Sequence, residues 1–329
     1  MPPKKSAPKK RAAQKATGAQ AIKRGREHAA EVIALRTRQR NKRARALAEI
    51  AKRPAPRRAL AAPRIPERTR RALGPSLSAG LLIAEGDSWF DYPLHDVLSM
   101  LEDDHGYDVE SVAHKGDRVE DMAFSGGQFE EFSRRLEKLL RQGKIPEAIL
   151  LSGGGNDIAG NEFAMLLNHA SSGLPPINDD IVRGVIDVRL RNAYEFLISG
   201  LTEISKQFLD RPIPILTHGY DYPIPDGRGF LGGFGLLPGP WLRPGFFDKG
   251  YADLPKNAAV MRDLIDRFNR MLQQVSNTPQ FAHVHFLDLR NTLSGDPRTY
   301  QKDWANELHP TERGFTAVTD KFAGAIAAL

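Results

Sequence analysis

The 329-residue sequence predicts an α/β protein: a three-layer α/β/α sandwich built on a five-stranded parallel sheet. Two observations carry this. From residue 81 onward, five short runs are apolar along their length rather than alternating, as strands covered on both faces are. Segments of helical periodicity separate them, and regular strand–helix alternation implies parallel strands joined by right-handed crossovers.

The first strand is expected at Leu81–Glu85. It runs into Gly86-Asp87-Ser88-Trp89, after which the pattern turns helical over 94–103. A strand ending this way sets a serine hydroxyl at the carboxyl edge of the sheet, where open parallel sheets bind ligands. The following helix offers free N–H groups to an anion. The plain alternative is that Asp87 or Ser88 caps a helix. Further strands are expected at Asp108–Ala113, Ala148–Ser152, Ile213–His218 and His283–Leu289, and helices at 127–142, 179–208, 255–276 and 311–328. The helix at 179–208 has the clearest stripe, with Val182, Val185, Ile186, Ala193, Phe196, Leu197, Leu201, Ile204 and Phe208 at helical spacing. Residues 220–251 break the alternation. They hold eight Gly, five Pro and eight aromatic residues in 32 positions, which suits neither a long helix nor a central strand. Following the fourth strand, this segment is expected to form a wall or lid of a substrate pocket. The alternative is a surface insertion packed by its own aromatic side chains.

The chain is divided by charge. Residues 1–71 hold 23 of the 47 Lys and Arg but 4 of the 40 Asp and Glu, a balance of +19, which leaves −12 on the remainder. The expected organisation is a basic Ala/Lys/Arg/Pro-rich tail and linker over 1–75, then one domain over 76–329. The opening residues are expected to be disordered. Residues 19–52 are good helix formers, but their apolar positions Val32, Ile33, Leu35, Leu47 and Ile50 are too sparse to imply a packed core. Such a tail suits nucleic acid, an anionic surface or an acidic partner, and without aromatic residues it does not suit base stacking. The bland reading is a solubilising tail. With no cysteine there is no thiolate nucleophile, disulfide or thiolate metal site. No apolar run reaches membrane-spanning length, and the basic N-terminus lacks the apolar core of a secretory signal, so a cytoplasmic location is expected.

Four elements fall on the carboxyl edge of the predicted sheet or in the last loop. They are Ser88, the turn His114-Lys115-Gly116-Asp117, the loop Gly153-Gly154-Gly155-Asn156-Asp157, and Asn306-Glu307-Leu308-His309-Pro310. A serine hydroxyl is a poor nucleophile until an imidazole takes its proton. The tetrahedral intermediate of acyl transfer needs fixed donors, and an asparagine amide donates without titrating. The glycine loop lacks the Lys-Ser/Thr of a P-loop, and the chain lacks the Gly-x-Ser-x-Gly nucleophile elbow. Asp87, Trp89, His218, Tyr220 and Trp241 are the expected pocket residues, with His114 and Asp221 beside them. His283 and His285 would share one strand face, a metal pair with no third ligand in the sequence pattern.

In this order and spacing, Gly86-Asp87-Ser88, Gly116, Gly155-Asn156-Asp157 and His309-Pro310 resemble the SGNH (GDSL-type) hydrolase superfamily over about residues 81–316. Trp89 stands where many members have leucine. The resemblance implies a flavodoxin-like α/β/α fold and a serine esterase, lipase or deacetylase that needs neither metal nor cofactor. It makes Ser88 the nucleophile and His309 the base. The backbone N–H groups of Ser88 and Gly116, with the Asn156 amide, form the oxyanion hole. The family usually has aspartate three residues before the histidine, and here that position is Asn306. Asn306 can accept a hydrogen bond from the ring but stabilises an imidazolium less than a carboxylate does. Asp303 replaces it if the loop curls, Glu307 is adjacent, and a Ser-His dyad is the remaining reading. The expected reaction is hydrolysis of a small-molecule, lipid or sugar ester through an acyl-enzyme. The alternatives are acyl transfer at the same site, and a catalytically weak scaffold held to an anionic partner by its tail.

Overall fold

The computed structural model describes residues 78–329 except 94, 126, 161 and 231–237, together with residues 19, 20, 22–27, 29, 30, 33, 34 and 37. Five strands form one parallel sheet in the order β2-β1-β3-β4-β5: β1 Leu81–Glu85, β2 Asp108–Ser111, β3 Ala148–Leu151, β4 Ile215–His218 and β5 Val284–Leu287. β3 and β4 are buried along their whole length, which explains their continuous apolar reading. The two edge strands are more exposed.

The helices are α1 Val97–Asp103, α2 Val119–Phe124, α3 Gln128–Arg141, α4 Gly155–Ile158, α5 Asp179–Arg183, α6 Arg191–Leu209, α7 Arg243–Asp248, α8 Leu254–Ser276 and α9 Glu312–Ile326. Residues Gly184–Leu190 form a π-helical stretch that joins α5 to α6, so the predicted helix over 179–208 is continuous but widened in its first half. α2, α4 and α7 were not legible as helices, being six residues or shorter. Side-chain caps start several of the others: Asp96 and Ser99 form a reciprocal capping box on α1, Asp253 caps α8, and Thr311 caps α9.

The chain moves outward from β1 to β2, returns past β1 to β3, then continues to β4 and β5. Right-handed crossovers therefore put α1 on one face and α3, α6 and α8 on the other. α9 packs against α1, and α8 against β4, β5 and α6. The direction of winding reverses between β1 and β3, and the crevice outside their carboxyl ends is where such sheets bind ligands. Glu85 lies level with Leu151, so the loops after β1 and β3 leave the sheet side by side. Gly86 is required there, since a Cβ would lie 2.7 Å from the Ser152 side chain.

The described part of the N-terminal helix-forming stretch packs on the domain. Residues 22–27 are helical, and Ile22 and Ala29 are buried. A side-chain carbon at Gly25 would lie 2.6 Å from the Phe196 carbonyl oxygen, so this segment packs directly on α6. Arg26 lies 3.9 Å from Glu203 of the same helix. The apolar stripe was sparse because glycine and alanine make the contact. The remainder of 1–77, including Val32, Leu35, Leu47, Ile50 and the proline-rich linker, lies outside the described residues.

Candidate active site

Ser88 follows β1 by three residues. Asp87 fixes this turn: its carboxylate accepts from Trp89 N (3.0 Å), from Ser152 Oγ (2.8 Å) on the neighbouring loop, and from Tyr220 Oη. Trp89 donates its indole N–H to the Leu308 carbonyl (3.1 Å), which ties the serine turn to the last loop. Across that junction Ser88 Oγ lies 2.7 Å from His309 Nε2.

His309 is held from several sides. Its Nδ1 lies 3.0 Å from Asn306 Oδ1, which also accepts from Leu308 N (3.0 Å) and His309 N (2.9 Å). The Asn306 amide donates from Nδ2 to Tyr92 Oη (3.0 Å), an arrangement that turns Oδ1 toward the ring. With Oδ1 facing it, Nδ1 carries the hydrogen, and Nε2 is left to accept the serine proton. Tyr92 also stacks on the imidazole at 4.2 Å and 19°, and Trp241 stands edge-on at 5.5 Å. Burial without a partner carboxylate depresses the His309 pKa to about 3. The ring is therefore neutral at pH 7.

Of the two other elements, the Asn156 loop lines the same crevice and the Gly116 turn is bonded to the serine segment. Gly116 adopts φ 91°, and the turn around it is tied to the serine segment by His114 N to Gly86 O (3.0 Å) and Lys115 N to Asp91 Oδ2 (2.9 Å). Asn156 lines the same pocket as Ser88 and His309, with one amide hydrogen donated to the Asp117 carbonyl (3.0 Å). Its neighbour Asp157 accepts from Val119 N and Glu120 N and so caps α2, and burial raises its pKa to about 6. Gly154 is at φ 105° with a Cβ position 2.6 Å from the Phe268 ring, so only glycine serves at that turn.

The structure thus gathers Ser88, His309, Asn306 and Asn156, and ties the turn that carries Gly116 to the serine segment. It does not bring Asp303 to the imidazole. That carboxylate accepts from Ser294 N (2.8 Å) and lies 3.3 Å from Arg313 Nε. The reason is loop geometry. Trp304 pairs with Pro310, and Thr311 N donates to the Asp303 carbonyl, which puts Asp303 at the base of the loop, outside the turn in which the Asn306 side chain accepts from His309 N. Glu307 faces away too. Its carboxylate accepts from the backbone N–H groups of Gly227 (2.9 Å), Trp241 (2.6 Å), Leu242 (2.8 Å) and Arg243 (3.0 Å), and burial raises its pKa.

Of the expected pocket residues, Asp87, Trp89, Tyr220 and Asp221 line it. Segment 220–251 also contributes Pro223 and Leu242, so it forms a wall, while Trp241 touches His309 instead. Two expectations fail. His218 is fully buried behind the site, its ring stacked on Trp89 and its Nδ1 bonded to the Gly219 carbonyl, because the last residue of β4 points into the layer under the sheet. His114 is exposed, turned onto the Val112 carbonyl. His283 is bonded to Thr202 (2.8 Å), and among the described residues no three His, Cys, Asp or Glu side chains gather as metal ligands.

The sequence reading missed Tyr92, although it follows the serine motif by four residues. It also missed that Met261, Leu264, Ile265 and Phe268 of α8 face the pocket. Their helical spacing was visible, but core and pocket stripes look alike in sequence.

A sequence model of the GDSL-like lipase/acylhydrolase family matches residues 72–317. No curated protein matches the chain significantly. Among solved structures, similarity is found to an acetylxylan esterase from Geobacillus stearothermophilus, at 14% identity and TM-score 0.37, covering 76% of this chain and 94% of that one. An α/β hydrolase from the metagenome of Lake Arreo matches at 12% identity and TM-score 0.40, covering 77% and 97%. A putative SGNH hydrolase from Slackia heliotrinireducens matches at 14% and 0.40, covering 75% and 98%.

Proposed function

Because the chain belongs to the GDSL-like lipase/acylhydrolase family, and so is an ester-cleaving hydrolase, we propose that Ser88 is its nucleophile and His309 its base. The observation that carries this is the 2.7 Å contact between Ser88 Oγ and a buried, neutral imidazole whose other nitrogen is already engaged. Ser88 Oγ attacks the ester carbonyl as its proton passes to His309 Nε2. The oxyanion is held by the Ser88 and Gly116 backbone N–H groups and by the second hydrogen of the Asn156 amide. Collapse breaks the ester bond, and the imidazolium returns its proton to the leaving alcohol. Water, deprotonated by the same nitrogen, then attacks the acyl-enzyme; the bond from the acyl carbon to Ser88 Oγ breaks, Oγ takes the proton back from His309, and the acid leaves.

In this reading Asn306 is the orienter, and Tyr92 is the residue that fixes Asn306. The face of Tyr92 also stabilises the imidazolium, a contribution of about 0.5–2 kcal/mol. The carrying test is covalent labelling with a fluorophosphonate. The wild type is expected to label at Ser88 and to lose ester hydrolysis in parallel. Labelling of another residue, or activity surviving in Ser88→Ala, sinks the assignment.

The basic residues 1–71 are proposed to hold the enzyme to an anionic polymer or surface. No described helix is long and apolar enough to cross a membrane.

A further inference from the structure

We infer that the pocket beside Ser88 binds a hydrocarbon chain of the substrate, so that the enzyme acts on esters carrying an unbranched alkyl chain well beyond acetyl. This rests on the hydrolase reading above. The pocket is lined by Ser88 and His309, which touch each other at 2.7 Å, and by Asn156. Most of the remaining lining side chains are apolar. α8 contributes Met261, Leu264, Ile265 and Phe268, spaced so that one helix face looks into the space, and Ile158 at the end of α4 and Leu242 just before α7 line it too.

The remaining polar side chains at the pocket are already engaged. Asp87 accepts from Ser152, Trp89 N and Tyr220. Asp221 accepts from the backbone N–H groups of Tyr222 (2.8 Å), Asn291 (2.9 Å) and Leu293 (2.6 Å). The Tyr220 hydroxyl is donated to Asp87. A hydroxylated chain such as a sugar would lose its water here and find few partners in return, which is costly. A hydrocarbon chain loses nothing of that kind and gains with each methylene removed from water. Both ends of an ester can supply such a chain, as the acid or as the alcohol.

The test is a pair of ester series on the full-length enzyme. In one, p-nitrophenyl acetate, butyrate, hexanoate and octanoate lengthen the acyl side. In the other, methyl, butyl and octyl acetates lengthen the alcohol side. kcat/KM is expected to rise roughly fourfold per methylene until the pocket is full, the ratio for burying one methylene. A rise in the first series places the chain on the acyl side, and a rise in the second on the alcohol side. Flat or falling profiles in both overturn the proposal.

Ile265→Trp and Ala159→Trp test the location. Both positions line the pocket and are partly exposed, so a larger side chain fills space without entering the packed core. Each is expected to lower the ratio of long-chain to short-chain kcat/KM by tenfold or more, whatever happens to the absolute rates. An unchanged ratio in both variants overturns the assignment of these walls. Binding of butyric, octanoic and decanoic acids, followed by the fluorescence of Trp89 and Trp304 in the pocket, separates this proposal from the catalytic one. Chain-length-dependent binding that Ile265→Trp removes, in a protein that neither hydrolyses esters nor labels at Ser88, keeps the pocket and discards the hydrolase mechanism. Hydrolysis and labelling without any chain-length effect do the reverse.

Discussion

Replacing Asn306 by aspartate puts a charge behind His309 and tests the proposed relay. The Asn306 oxygen is 3.0 Å from His309 Nδ1, and the same site already collects the N–H groups of Leu308 and His309, so it is built to hold an anion. Tyr92 Oη accepts from the present amide and can donate to a carboxylate by rotating its hydroxyl. A carboxylate with its charge about 4 Å from the imidazolium, at an effective dielectric of about 20, contributes about 4 kcal/mol, or near 3 pKa units. The ring then moves from about 3 to near 6. Because the base works only when unprotonated, the acid limb of kcat/KM is expected to shift upward in Asn306→Asp by 2 to 3 pH units, in the order-of-magnitude sense of that sum. Above the new limb the rate should rise. If about half of the 4 kcal/mol is realised where the proton is half transferred, the gain is roughly 30-fold. The assay is the pH profile of p-nitrophenyl ester hydrolysis for both proteins, with fold checked by circular dichroism at each pH. An acid limb that stays where it is in the wild type would refute the reasoning, since it would mean that position 306 does not face the ring that titrates.

Other outcomes follow from the same geometry. Asn156→Ala is expected to lower kcat by about 10²–10³ with little change in KM, measured by steady-state kinetics, because its donor acts on the transition state. Tyr92→Phe removes the acceptor that orients the Asn306 amide, so kcat should fall by about tenfold, one unsatisfied hydrogen bond, and activity should recover in the double variant with Asn306→Asp. Asp303→Asn should leave the pH profile unmoved, in contrast to Asn306→Asp. Glu85 is buried in β1, and burial raises its pKa to about 8. Folding therefore favours its neutral form, and the stability this contributes is complete below about pH 4.5 and lost as the pH rises through 8. Glu85→Gln should melt with the wild type near pH 4 and above it near pH 8, by a difference on the order of 4 kcal/mol. Retention of the full chain on heparin should fall steeply with salt, and deleting residues 1–37 should lower the melting temperature more than deleting 1–18, because Ile22 and Ala29 are buried.

The sheet was legible because β1, β3 and β4 are buried on both faces and therefore read as apolar runs, and because the loops after β1 and β3 carry glycines that close packing demands. Ser88 and Asn156 were legible as neighbours because each follows a parallel strand at its carboxyl end, whereas His309, in the last loop, was joined to them by the resemblance to the family. What stayed hidden depends on contacts between segments distant in sequence. Asp303 and Asn306 differ by three positions, and only the pairing of Trp304 with Pro310 decides which of them reaches the ring. His218 ends a strand as a ligand-binding residue would, yet its side chain turns into the layer beneath Trp89. The docking of Gly25 on α6 was invisible because the contact is made by the lack of a side chain.

Glu307 stands between Asn306 and His309 in sequence, and its carboxylate gathers four backbone N–H groups from the segment that walls the pocket. A single anchor therefore serves both halves of the site. If the wall lifts, four donors lose their acceptor together, and Asn306 and His309 lose the tether that holds their loop in register with Ser88. Pocket and base then come apart as one cooperative unit, well below the free energy of unfolding the sheet. On heating, substrate binding and proton transfer should fail at the same temperature, ahead of the global transition. Glu307→Gln would separate that local melting further from the unfolding of the strands.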